Sequence, residues 1–190
     1  MNDVILRPYT AEDSEAYMAI YEASFPPCER KSFDHMLSSP AADRYELLVI
    51  SSSTVPVAGM VILAYAKIDG ETYALLDYLA VSPDCRGMGI GHAVLPLIRA
   101  HCKERKARLF LEIEAPDATA DNALQRVLRR AFYISCGLTF CDVTAQMYGT
   151  NMELLAFPED AAFVTLHVYR ELVKASYPPD MGLPEALPSH

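Results

Sequence analysis

Residues 79–91 read LAVSPDCRGMGIG, the most informative stretch of the chain. It holds three glycines, Gly87, Gly89 and Gly91, within five positions. Glycine lets backbone N–H groups turn toward one point without a side chain in the way. An apolar run precedes the loop, and residues with helical spacing follow it. The start of that helix would supply further N–H donors without partners and the positive end of the helix dipole. The stretch therefore predicts a phosphate or pyrophosphate site, with an ordinary flexible turn as the alternative.

The sequence excludes two common phosphate-binding loops. The dinucleotide fingerprint Gly-x-Gly-x-x-Gly, started at Gly87 or Gly89, meets His92 or Val94 where its third glycine belongs. The nucleoside triphosphate loop needs Gly-Lys-Ser/Thr, a tripeptide that does not occur. Residues 86–91 instead form the pattern Arg-x-x-Gly-x-Gly. These failed patterns weaken the interpretation of the chain as a nucleotide-dependent enzyme.

Hydrophobic spacing on both sides of the loop predicts strands mixed with helices. The predicted strands are 4–7, 46–51, 57–67, 73–81, 109–115, 138–148 and 152–157. The predicted helices are 10–24, 33–37, a helix from the loop to about 102, 121–136 and 159–176. This mixture indicates the α/β class with a mixed sheet. Residues 177–190 hold four prolines and are expected to form a loose tail.

Composition limits the class of protein. The chain has 190 residues, 52% hydrophobic and 22% charged, as in one globular domain. A formal net charge of −9 disfavours general binding to nucleic acid or to an anionic membrane. We find neither a run of roughly 18 apolar residues that could span a membrane nor a secretory signal, so a cytoplasmic location is expected. Five cysteines without a Cys-x-x-Cys pair support neither zinc nor a disulfide framework.

The charge is unevenly distributed along the chain. Residues 86–130 hold nine basic and five acidic side chains, whereas the rest holds seven basic and twenty acidic ones. A basic middle in an acidic chain indicates a polyanionic ligand held in one place, with a solvated helix face as the alternative. No spacing of histidines suggests a metal site, so no metal is expected.

The loop and its surroundings resemble the GNAT N-acetyltransferase superfamily. Residues 86–91 are similar to its acetyl-CoA loop, and 79–87 (LAVSPDCRG) to its fourth strand and exit. Residues 131–138 (AFYISCGL) resemble the later helix motif, where a tyrosine precedes a glycine by four residues. The resemblance implies a mostly antiparallel central sheet with a splayed parallel strand pair and helices on both faces. It covers about residues 3–157, so we expect a domain over 1–157, with 158–190 as a C-terminal helix and tail of the same unit.

The resemblance also implies the activity. The family transfers an acetyl group from acetyl-CoA, its co-substrate, to a primary amine by direct attack in a ternary complex. Backbone groups near three strand residues would hold the thioester and pantetheine, namely Leu79, Ala80 and Val81. The pyrophosphate would lie on the loop residues, namely Arg86, Gly87, Met88, Gly89, Ile90 and Gly91. A non-catalytic acyl-CoA-binding sensor or partner domain of the same fold is the alternative.

The acceptor stays open at this stage. In the family it is bound by the first helices and the late strands, which here are Ser24–Leu37 and Gln146–Met152. A small cationic amine or a peptide amine would suit the acidic remainder of the chain. The late strands and the 159–176 helix would be the contact of a homodimer.

Three carboxylates are candidate general bases, because the attacking amine must be neutral. Glu112 and Glu114 lie two residues apart on one strand and so share a face, where carboxylates are costly unless hydrated, paired or functional. An ion pair with Arg129 or Arg130 is the alternative. Asp77 lies in an otherwise apolar strand, and its alternative is a satisfied buried carboxylate.

Tyr133 matches the residue that protonates the departing thiolate in many family members. A phenol stays protonated at pH 7 and can donate, although a core aromatic beside Phe132 is the alternative. The sequence departs from the family pattern nearby, because Arg126 stands where many members have an asparagine. The nearest asparagine, Asn122, lies one helical turn earlier.

Overall fold

The computed structural model describes residues 3–38, 44–147, 149–177 and 183–186. The strands are β1 (Ile5–Pro8), β2 (Tyr45–Ser51), β3 (Gly59–Ile68), β4 (Glu71–Val81), β5 (Ala107–Glu114), β6 (Thr139–Met147), β7 (Thr150–Ala156) and β8 (Glu185–Ala186). The helices are α1 (Ser14–Ser24), α2 (Phe33–Leu37), α3 (Ile90–Glu104), α4 (Ala123–Ser135), α5 (Pro158–Ala161) and α6 (Leu166–Ser176). None of the helices in these ranges is long and apolar enough to cross a membrane.

The strands follow the hydrogen-bonded order β1-β2-β3-β4-β5-β7-β6-β8. One pairing is parallel, between Thr72–Leu75 of β4 and Ala107–Phe110 of β5, and most of the others are antiparallel. This confirms the predicted α/β class with a mostly antiparallel sheet and one parallel strand pair. The splaying of that pair stays a prediction.

The chain divides into two compact units, and β3 and β4 contribute residues to both. Unit 1 comprises residues 1–65 and 76–106. In it, β1 lies antiparallel to β2, with Ile5 opposite Ser51, and β2 lies antiparallel to β3, with Tyr45 opposite Ala64. Two helices contribute apolar side chains to its core: Tyr17, Ile20 and Tyr21 from α1, and Val94, Leu95, Ile98 and Cys102 from α3.

Unit 2 comprises residues 66–75 and 107–190. Its core contains Phe110 of β5, whose ring meets that of Tyr169 of α6 edge-on with the ring centroids 6.4 Å apart. The single helix predicted over 159–176 is wrong, since α5 ends at Ala161 and α6 begins only at Leu166. The break has a local cause, because the hydroxyl of Thr165 accepts a hydrogen bond from the Val168 N–H at 3.2 Å and so starts a new helix.

Part of the expected loose tail is paired. Ala186 and Glu185 of β8 lie opposite Ala145 and Gln146 of β6. The guanidinium Nε of Arg170 also donates to the carbonyl of Pro184 at 2.6 Å. Backbone pairing with β6 therefore holds residues 184–186, an interaction that leaves no pattern in the side chains. Residues 178–182 and 187–190 of the same expectation lie outside the described residues.

The start of α1 is fixed by a buried carboxylate. Asp13 accepts hydrogen bonds from the Thr10 N–H at 2.9 Å and from Arg7 through both oxygens, at 2.6 and 2.8 Å. The hydrogen bond from Arg7 is the largest cause that holds the pKa of Asp13 well below its usual range. One side chain thus ties the first strand to the first helix.

Asp13→Asn is expected to lower the free energy of unfolding at pH 7 by about 2 kcal/mol, the usual size of a charged hydrogen bond. A carboxyl whose folded pKa is lowered stabilises the fold above its unfolded value, roughly 3.9, and loses that contribution as the pH falls. Denaturant unfolding at several pH values measures the effect. The advantage of the wild type should be full at pH 7 and shrink progressively below about pH 4; a difference independent of pH would contradict this role.

Candidate active site

The glycine-rich loop connects β4 to α3 within unit 1. Cys85 and Ile90 are buried and anchor its two ends, whereas residues 86–89 are exposed. Gly87 and Gly89 both have a φ of +76°, and Gly89 is the N-cap of α3. The N–H groups in the first turn of a helix have no partner within the helix. Arg86 to Ile90 therefore form an exposed backbone cradle at the positive end of a 15-residue helix.

Arg86 contributes a charge to this cradle. Its Nε donates to the carbonyl of Val81 at 3.3 Å, and its terminal nitrogen donates to the hydroxyl of Ser24 at 3.4 Å. Both of these partners are neutral. By contrast, other cations of the basic stretch lie against carboxylates, such as Arg105 against Glu46. The charge of Arg86 therefore lies at the loop itself, where it could meet an anion.

The strand residues predicted to hold the thioester lie directly before the loop. Ala80 is buried, while Leu79 and Val81 are half-buried. Gly59 of β3 lies against this end of β4, since a Cβ there would come within 2.5 Å of the carbonyl oxygen of Ala80 and 3.2 Å of the Val81 Cα. Only glycine permits this close approach, which fixes the backbone of 80–81.

Asp77, on the same strand, forms an ion pair. Its Oδ2 lies 2.5 Å from the Nζ of Lys31, and the two side chains are only 3% and 4% exposed. The alternative raised from the sequence, a satisfied buried carboxylate, describes this geometry. Nothing in the local sequence marks Lys31 as the partner, because 46 positions separate the two residues.

In unit 2, Glu114 ends β5 inside a polar network with α4. Arg126 donates to its Oε1 at 2.7 Å, Asn122 donates to its Oε2 at 2.9 Å, and Arg129 lies 3.7 Å away. Arg126 also donates to the side-chain oxygen of Asn122 at 2.7 Å. Arg126, which departs from the family pattern, and Asn122 therefore act together and hold the carboxylate of Glu114.

Arg130, the other arginine considered as a partner, lies 3.2 Å from Glu153 of β7 instead. The arginines of α4 thus reach the carboxylates of two strands. The opposite side of the helix is apolar and exposed, with Leu124 at 67% and Leu128 at 59%.

Glu112 is half-buried on β5, two residues before Glu114. Its Oε1 accepts a hydrogen bond from the hydroxyl of Tyr177 at 3.3 Å. Tyr177 directly follows α6, outside the region that carried the sequence resemblance, and 65 positions separate it from Glu112. Among the contacts of Glu112 is therefore a neutral phenol, that of Tyr177.

Tyr133 lies on α4, also in unit 2. The side chain is half-buried and its ring centroid is 5.0 Å from that of Phe132. Burial raises its pKa to about 12. The phenol is therefore protonated at neutral pH, so its hydroxyl can act as a donor. Each unit contributes part of the predicted set: unit 1 holds Asp77 and the loop, and unit 2 holds Glu112, Glu114 and Tyr133.

Comparison with known proteins gives a consistent family signal. A family model described as acetyltransferase (GNAT) family matches residues 13–129. Among solved structures, the chain is similar to the ribosomal-protein-S18-alanine N-acetyltransferase of Escherichia coli, at 22% identity and a TM-score of 0.57, covering 82% of this chain and 93% of that one. None of the curated protein sequences matches it.

Two further structures resemble the chain. The spermidine N-acetyltransferase of Vibrio cholerae, in complex with CoA and spermine, is 12% identical with a TM-score of 0.58, over 80% of this chain and 93% of that one. A fungal multi-domain β-N-acetylglucosaminidase with a glucosamine N-acetyltransferase region is 21% identical with a TM-score of 0.58; the match covers 76% of this chain but only 18% of the fungal one. At these identities the likeness concerns the fold alone, and the three descriptions name three different acceptors.

Proposed function

Because the chain belongs to the GNAT acetyltransferase family, we propose that it is an N-acetyltransferase that moves an acetyl group from acetyl-CoA to a primary amine. The observation that carries the proposal is the cradle at the start of α3. Gly87 and Gly89, both at a φ of +76°, leave the backbone open, and Arg86 adds a charge with neutral partners. These residues suit the pyrophosphate of acetyl-CoA, which supplies an activated acetyl group when bound.

Proton transfer from the amine is the main task left to the protein. A lysine-like amine has a pKa of about 10.4, so its deprotonation at pH 7 costs roughly 4.6 kcal/mol. We assign Glu112 as the base that takes this proton, because it lies half-buried on β5, one of the two strands that the family resemblance places beside the acetyl-CoA arm. The other two candidates, Asp77 and Glu114, form ion pairs with Lys31 and Arg126. The new carbon–nitrogen bond forms as the carbon–sulfur bond breaks, and the Tyr133 hydroxyl gives its proton to the departing thiolate.

Tyr133→Phe is expected to lower kcat only about tenfold, since a thiol has a pKa near ~8.5 and its thiolate leaves with little help at neutral pH. The wild-type pKa of about 12 also means that Tyr133 stays protonated across the usual assay range. Steady-state kinetics from pH 6 to 10 test both points. An alkaline loss of activity in the wild type that is absent from the variant would contradict this assignment.

The proposal is tested by titrating the protein with acetyl-CoA in a calorimeter, followed by thiol release with a panel of sugar, polyamine and peptide amines. Binding together with turnover of at least one amine supports an N-acetyltransferase. Tight binding without turnover of any amine favours the alternative, an acyl-CoA-binding sensor of the same fold. A folded protein that binds no acetyl-CoA would overturn both.

A further inference from the structure

The segment between α1 and α2 is fastened to β4 by the buried ion pair of Lys31 and Asp77. The Nζ and Oδ2 atoms are 2.5 Å apart, with 4% and 3% of the two side chains exposed. The ammonium also lies over two phenol rings, 5.4 Å from the centroid of Tyr45 and 5.7 Å from that of Tyr78. The cation therefore has a carboxylate and two aromatic faces around it, all within unit 1.

The backbone of the same segment is also held. The N–H of Lys31 donates to the hydroxyls of Tyr21 and Tyr78 at 2.9 and 3.2 Å. The hydroxyl of Tyr78 in turn donates to the carbonyl of Glu29 at 2.7 Å. The ring of Phe25 meets that of Tyr78 edge-on at 4.9 Å. Phe25, Glu29 and Lys31 of this segment thus each contact Tyr78 of β4.

The ion pair holds the segment to β4 close to the strand residues assigned to the thioester. Asp77 is two residues before Leu79, where the strand enters the stretch assigned to the thioester. The other end of the segment follows Ser24, whose hydroxyl accepts a hydrogen bond from Arg86 of the loop. Residues 25–31 are therefore connected at one end to the candidate pyrophosphate loop and at the other to the candidate thioester strand.

Stability alone does not explain a buried ion pair. Removing two charges from water costs several kcal/mol each, and well-packed apolar residues of similar size are often as stable or more stable. An ion pair does add geometric specificity, because the ammonium must lie at hydrogen-bonding distance from one particular carboxylate. A pair at this site therefore sets the place of the segment on the strand.

We propose that Lys31 and Asp77 are positioning residues, which fix residues 25–31 beside the thioester strand so that this segment forms one wall of the acceptor-amine site. The inference rests on the proposed acetyltransferase function. Neither residue touches the reacting atoms, and the carboxylate of Asp77 is engaged in holding the segment. The pair should affect the binding of the amine through the position of the segment, with no direct contact to either substrate.

Three variants test the pair: Lys31→Met, Asp77→Asn and the double variant Lys31→Met with Asp77→Asn. The single variants leave one buried charge alone and are expected to lose stability, while the double variant is neutral and folds. In the double variant we expect the KM for the best amine to rise at least tenfold, with the Kd for acetyl-CoA within twofold of the wild type. Amide hydrogen exchange at residues 25–31 should become at least tenfold faster.

Glu22→Gln is the matched control, because it removes a surface ion pair of the same segment, that of Glu22 with Arg30 at 3.7 Å, and such pairs contribute little to stability. It should leave KM, Kd and exchange unchanged. A double variant with wild-type KM and wild-type exchange would overturn the positioning role, as would a parallel loss of amine and acetyl-CoA binding. Absence of any turnover by the wild type would instead mean that the proposed function itself fails.

Discussion

Arg86→Ala combined with Gly89→Asp is expected to weaken acetyl-CoA binding roughly 100-fold or more. Each charged hydrogen bond to the pyrophosphate contributes about 1.5–3 kcal/mol, and every 1.4 kcal/mol is about tenfold in Kd. The variant removes the guanidinium and places a carboxylate at the N-cap of α3, where the ligand's own negative charge would lie. The new side chain must also adopt the φ of +76° that Gly89 has.

Calorimetry with acetyl-CoA measures this loss, and circular dichroism shows whether the variant is folded. Gly70→Asp is the matched control. Gly70 also has a positive φ, +88°, and a Cβ there would meet nothing within 4 Å. It introduces the same residue with similar backbone strain in the turn between β3 and β4, so acetyl-CoA binding should be retained. A loop variant that binds as tightly as the wild type would remove the cradle from the proposed site.

Glu112→Gln is expected to lower kcat about 100-fold, since an amide cannot take the proton of the amine and general base catalysis typically contributes 10²–10⁴-fold. Binding of acetyl-CoA should not change. The activity that remains should rise about tenfold per pH unit below the pKa of the amine, because only the fraction that is already neutral can react. Stopped assays with one amine across several pH values would show this slope.

Glu114→Gln tests whether the base on β5 is Glu112 or Glu114. Glu114 is held by Arg126 and Asn122, so its loss should reduce stability and leave kcat within about threefold of the wild type. If Glu114→Gln stops the reaction and Glu112→Gln does not, the base has been assigned to the wrong residue. The same conclusion would follow if both variants retained full activity.

Most of the elements could be predicted because their causes are local. Strand and helix periodicity located the elements from β1 to β7 within a few residues, and Phe33–Leu37 was located at both ends. The failure over 159–176 was also local, since Thr165 caps a new helix inside an apparently continuous pattern. The pairing of Glu185 with Gln146 is different, because backbone hydrogen bonds between distant segments leave no mark on composition.

In the candidate site, too, local features could be predicted and contacts between distant segments could not. The loop could be predicted from the sequence alone, because a cradle of backbone N–H groups needs glycine at positive φ and a helix start beside it, all within residues 86–91. The sequence also determined that Glu112 and Glu114 share a strand. Only the tertiary structure decided what each carboxylate meets: Lys31 for Asp77, Arg126 for Glu114 and Tyr177 for Glu112. A side-chain partner depends on which distant segment packs alongside, and that is settled by the burial of the whole core.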